Sequence, residues 1–90
     1  MFFTLAIKNS NHPLVPPLVI HTHPVTGDRM TLDIARYLAR GFIEEFIKNN
    51  NLHGSAVWKA RSEVDDLEPN HFVSLDSLTI ELRTKVLYDA

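Results

Sequence analysis

Ninety residues, 44% hydrophobic and 22% charged, form one domain spanning positions 1–90, because so short a chain has no room for two independent cores. A formal net charge of −2 lacks the basic excess of a general nucleic-acid binder, so a nucleic-acid partner is not expected. Cysteine is absent, which excludes disulfides and thiolate zinc sites and leaves histidine and carboxylate as the available metal ligands.

The opening Met1-Phe2-Phe3-Thr4-Leu5-Ala6-Ile7-Lys8 is apolar but too short for a secretory core and has no basic residues before it. No run approaches the roughly 18 to 20 apolar residues that span a bilayer, so a soluble cytoplasmic protein with no membrane partner is expected. In the first segment Phe3, Leu5 and Ile7 alternate with Thr4, Ala6 and Lys8, the period of a strand with one buried face. Asn9 to Pro13 break it, and Pro13, Pro16 and Pro17 make the following stretch an extended connection. Leu18 to His23 predict a second strand, with Leu18, Ile20 and Thr22 toward the core and Val19, His21 and His23 on the other face.

Val25 to Arg29 read as a turn, and Thr31 is the expected N-cap of a helix from about Leu32 to Lys48, with Asp33 favourable in its first turn. The helix is expected to stop in Asn49-Asn50-Asn51, whose side chains tolerate left-handed backbone. Its apolar residues cover about half the circumference, wider than the ~100° stripe that one sheet would cover. Ile34, Leu38, Gly41 and Phe42 are therefore the candidate contact face for a second copy or a partner. Ala56 to Arg61 alternate and predict a third strand with Trp58 inward, followed by an acidic loop over Ser62 to Asn70. Leu78, Ile80, Leu82, Val86 and Tyr88 then predict a long, central last strand. The expected fold is α+β, a four-stranded sheet with one long helix on one face in the order β-β-α-β-β, an order shared with the ubiquitin-like β-grasp.

His21-Thr22-His23-Pro24, after an apolar strand and before a helix, resembles the zinc-binding segment of the JAMM (MPN+) metalloproteases. The resemblance implies zinc held by His21, His23 and an aspartate, with a serine near the oxyanion and an upstream glutamate acting on the metal-bound water. Leu32 and Ala35 fall at the serine and aspartate positions, and a one-residue shift offers Thr31 and Ile34 with Asp33 out of register. Residues 1–20 contain no Asp or Glu to serve as the base. A non-catalytic zinc site on His21 and His23 would draw a third ligand from His12, Asp28, His53 or His71.

Other chemistry lacks its residues: there is no Gly-x-Ser-x-Gly elbow and no phosphate-binding glycine loop. The open sheet face is expected to carry Lys8, His21, His23, Lys59, Arg61, Arg83 and Lys85, interrupted by Glu81 and softened by Val19 and Val57, with no aromatic residue on it. The expectation is a non-enzymatic protein-binding domain, of inhibitor or adaptor type, acting as a homodimer or docked on a protein partner. Its size and character are those of phage or mobile-element inhibitors such as anti-CRISPR proteins. The alternative is a His-x-His metal-binding protein, active or degenerate as a JAMM-like zinc hydrolase.

Overall fold

The computed structural model describes residues 2–12 and 14–85. Strands β1 (Phe2–Asn9), β2 (Leu18–Ile20), β3 (Phe72–Leu75) and β4 (Leu78–Lys85) form one sheet in the order β2-β1-β4-β3, all neighbours antiparallel. Two helices, α1 (Leu32–Asn50) and α2 (Ser55–Asp65), cover one of its faces. The α+β class and the four strands agree with expectation. The chain order is strand, strand, helix, helix, strand, strand, so the comparison with a β-grasp does not hold element for element.

Alternation divides the sheet cleanly. Leu5 pairs across the strands with Leu82 and Ile20, and Ile7 with Ile80 and Leu18, so these side chains share the helix-facing side. Leu5, Ile80 and Leu82 have no exposed surface, and they meet Ala35, Ala39 and Ile43 of α1 and Val57, Ala60 and Val64 of α2 in one core. The strand that ends the described chain is central, as its length implied. Val86 to Tyr88, the last part of the expected strand, lie outside the described residues.

Helix α1 begins and ends where its chemistry directs. The Thr31 hydroxyl accepts the Ile34 amide at 3.4 Å, Asp33 lies in the first turn and Lys48 in the last. Asn51 closes the helix in the left-handed region at φ 52°, its amide donating back to Ile47 and Lys48. Ile34, Leu38, Phe42 and Phe46 are half-buried along one flank of the core, while Tyr37, Gly41 and Glu45 face outward.

The expected third strand over Ala56–Arg61 is instead part of α2. Val57, Ala60, Val64 and Leu67, spaced three and four apart, are buried, and Trp58, expected inward, is 70% exposed. The helical period runs on through Ser62–Asp65, which read as the start of an acidic loop, and this longer period prevails over a six-residue alternation. Gly54 starts the helix at φ 102° and ψ −168°, a conformation open essentially to glycine alone. The third strand is Phe72–Leu75, joined to β4 through Asp76-Ser77, with Asp76 at φ 53°.

Candidate functional site

With both helices on one side, no helix or strand among the described residues covers the other sheet face, and the register fixes what it carries. Phe72, Glu81, Ala6 and Val19 form one row across all four strands. Beside it lie Ser74, Thr79 and Lys8 in one row, Thr4 and Arg83 in another. Ala6 and Thr4 are buried although they point away from the helices, because short side chains on a central strand sit below their longer neighbours. A shallow depression of about 240 Å³ results, bounded by Ala6, Lys8, Pro17, Phe72, Glu81 and Arg83. Phe72 is 63% exposed at its edge. Arg83 Nε donates to Glu81, so among the described residues Lys8 is the cation of this depression without a carboxylate partner.

The expected composition of this face is corrected in four respects. Lys59, Arg61 and Val57 belong to α2: Val57 is in the core, and Lys59 and Arg61 lie on the helix layer, because their segment follows the helical period. Regular pairing of β2 ends at Ile20, short of His21 and His23, because Thr22 bridges to Arg29 instead of continuing along β1. The face does carry aromatic residues, Phe72 and, at its far end, Phe2, whose ring lies 5.0 Å beneath the Arg29 guanidinium. Leu18, expected toward the core, is 54% exposed at the sheet margin. Arg83 is where the alternation put it. Lys85 ends β4 opposite Phe2, and its side chain is outside the described residues.

Arg61 is committed elsewhere. Its Nε and NH2 donate to the two Glu44 oxygens at 2.7 and 2.9 Å, and Arg40 donates to Glu44 at 2.9 Å and to Asp65 at 2.6 Å. This chain of four charges ties α1 to α2. Hydrogen bonds from Arg61 hold the Glu44 carboxyl below the usual carboxylate range against a smaller opposing effect of burial, with Arg40 adding to the same direction. Asp65 and Glu44 in turn raise Arg40, and Glu44 raises Arg61. The Arg61 guanidinium also lies 5.6 Å from the ring of Trp58.

The histidine pair sits in a turn. His23 Nδ1 accepts the amides of Val25 and Thr26 at 3.1 and 3.2 Å, and the His23 backbone exchanges bonds with Asp28 and Gly27. One imidazole nitrogen of His23 is therefore engaged in holding the turn. Among the described residues no three His, Cys, Asp or Glu side chains come together as a metal site, so His12, Asp28, His53 and His71 do not complete a set with His21 and His23.

Pro24, next in sequence, lies against α1. With Tyr37, Leu38, Gly41 and Phe42 it lines a groove of about 390 Å³ rimmed by Arg40, Glu44 and Glu45. Gly41 lines it, and a Cβ added there would meet nothing within 4 Å. Three of the four helix residues singled out from sequence, Leu38, Gly41 and Phe42, thus share one concave surface. Ile34 lies a turn before it, half-buried against the core.

Phe72 is the surface residue that sequence reasoning missed. Its signal was present, since Phe72-Val73-Ser74-Leu75 alternates just before Asp76-Ser77 and a second alternating run. No family model, no curated protein and no solved structure matches this chain. Among the described residues no helix is long and apolar enough to cross a membrane.

Proposed function

We propose that this is a non-enzymatic protein-binding domain of the cytoplasm, of inhibitor or adaptor type, which docks a partner on the uncovered face of its sheet. The observation that carries the reading is the row Phe72, Glu81, Ala6, Val19: an exposed aromatic, a dent floored by alanine and an apolar margin, with Lys8 and Arg83 on either side. An apolar centre beside charged residues is the anatomy of a protein contact, and with Arg83 bonded to Glu81 it is Lys8 that favours an acidic side chain on the partner beside one inserted apolar group. A phage or mobile-element inhibitor of host machinery fits this description in size and character.

The test compares capture from host extract by the wild type, by Lys8→Glu with Val19→Glu, and by Lys59→Glu on α2. A protein held by the wild type and the α2 variant but lost by the sheet-face variant supports the reading. Equal capture by all three sinks it.

The α1 groove supports self-association as part of the same reading. Two copies crossing antiparallel at Gly41 set Tyr37 of each opposite Glu45 of the other and bring Asp33 beside Lys48, a self-complementary arrangement. Gly41→Arg places a long cation at the crossing point without touching the core. Light scattering is expected to give a mass near 20 kDa for the wild type, about twice 10.3 kDa, and a monomer for the variant. A wild-type monomer at high micromolar concentration would remove the dimer from the proposal.

A further inference from the structure

The two edges of the sheet are not equivalent. Pro16 and Pro17 precede β2, only three residues long, and the chain beyond it turns away to the Thr22–Arg29 bridge, so that edge offers little to another strand. Strand β3 is also short, at four residues, but Phe72-Val73-Ser74-Leu75 contains no proline and no charge, and its pairing with β4 runs without interruption from Phe72 to the turn.

Its hydrogen-bonding register follows from the turn. In a hairpin joined by two residues the flanking pair, Leu75 and Leu78, exchanges both backbone bonds, and so does every second pair back from it. Val73 with Ile80 is therefore a bonded pair, and ahead of the strand Asn70 and His71 share Leu82 in a bulge, the Leu82 amide donating to the His71 carbonyl at 3.0 Å and the Asn70 amide, at φ 65°, to the Leu82 carbonyl at 2.7 Å. Phe72 and Ser74 consequently turn their N–H and C=O groups to the free edge. A groove of about 420 Å³ opens at the beginning of that edge, lined by His71, by Val73 from the helix side of the strand and by Phe72 from the open side. Its far wall is the last turn of α2 and the loop after it, with Glu63, Asp66 and Glu68.

We infer that β3 takes an added strand, an extended segment of a partner protein that carries Lys or Arg at alternate positions. The main-chain groups of Phe72 and Ser74 supply the ladder, and the acidic wall selects the side chains. The groove has no Lys or Arg in its lining. Glu63 is paired only loosely, with Lys59 at 3.8 Å, and Glu68 with Arg36 at 3.5 Å, both on exposed positions that leave carboxylate oxygens for a partner. A second copy is the wrong occupant, because β3 on β3 would set Glu63, Asp66 and Glu68 against their own counterparts. The inference deepens the protein-binding reading by naming a second partner class, on an edge separable from the Lys8 and Val19 region of the face.

The probe is a synthetic eight-residue peptide alternating valine with lysine or arginine, compared with the same pattern built on glutamate and with a basic version interrupted by proline. Binding is read by fluorescence anisotropy and by amide exchange on the full chain. The basic peptide is expected to bind at least about tenfold tighter than either control and to protect the Phe72 and Ser74 amides, with binding weakened by salt. Glu63→Lys with Asp66→Lys, two exposed changes, should reverse the preference, whereas Lys8→Glu with Val19→Glu should leave it unchanged. Ser74→Pro removes an outward N–H that the β4 ladder does not use and should abolish binding. Equal binding of basic and acidic peptides, protection away from residues 72–75, or a dimer abolished by Ser74→Pro would overturn the proposal, the last in favour of a second copy.

Discussion

Glu44 shows how one carboxylate can decide what its neighbours are free to do. It accepts three guanidinium hydrogen bonds, two from Arg61 on α2 and one from Arg40 a turn away on α1, and it thereby withdraws Arg61 from any role in docking. Because its folded-state pKa is depressed, the unfolded chain takes up the proton first as pH falls. Its contribution to stability is complete above the ordinary glutamate value of 4.5 and is lost as pH drops through the lower folded value. Glu44→Gln should therefore lower the urea midpoint at pH 7, and the gap from wild type should narrow steadily below about pH 5. A gap that stays constant down to pH 3 would show the ion pairs to be inert. His23 makes a smaller contribution of the same local kind. Removing its ring in His23→Ala frees two amides in an exposed turn, with an expected loss of about 0.5 to 1.5 kcal/mol by urea titration.

At the scale of the element, the two helices differ in what their glycines do. Gly41 lies in the interior of α1 with open space where a Cβ would stand, so Gly41→Ala should stabilise the chain by about 0.5 to 1 kcal/mol. Gly54, at φ 102°, also has open space, but its backbone is the obstacle, and Gly54→Ala should cost about 1 to 3 kcal/mol. Opposite signs from one substitution, measured by urea unfolding at low concentration, would separate backbone from packing. The same contrast explains what was legible in the sequence. Helix α1 announced itself through Thr31, Asp33, the Asn49–Asn51 stop and five turns of consistent period. Helix α2 did not: it has no side-chain cap, and Ala56 to Arg61 within it satisfy a period of two as well as one of 3.6. Only Val64, two turns after Val57, and Leu67, just past the end of the helix, break the tie. That misreading moved Lys59 and Arg61 onto the wrong layer and hid Phe72–Leu75, so the face was legible in Arg83, Lys8, Val19 and Glu81 but lacked its aromatic.

At the scale of the whole molecule, stability rests on the pairing of the two ends of the described chain. Strands β1 and β4 pair over eight residues each, and every other element hangs from one of them or packs on the layer they form. Leu5 and Leu82 face each other in that pairing with no exposed surface. Truncating either to alanine should cost about 2 to 5 kcal/mol, the transfer of a buried side chain plus the cavity it leaves. Against the ~5 to 10 kcal/mol that holds a domain of this size, one such change unfolds a measurable fraction of the molecules at 25 °C. The double variant carries the sharper prediction. Its two cavities merge, and the second leucine leaves a site already stripped of its opposite contact, so the paired loss should fall short of the sum by about 0.5 to 3 kcal/mol. Leu5→Ala combined with Val64→Ala, two core positions that are not cross-strand partners, supplies the comparison. If the Leu5 and Leu82 losses add as fully as that pair does, the central strands do not act as one cooperative unit, and the exposed edge of β3 is being held by something other than the β1 and β4 pairing.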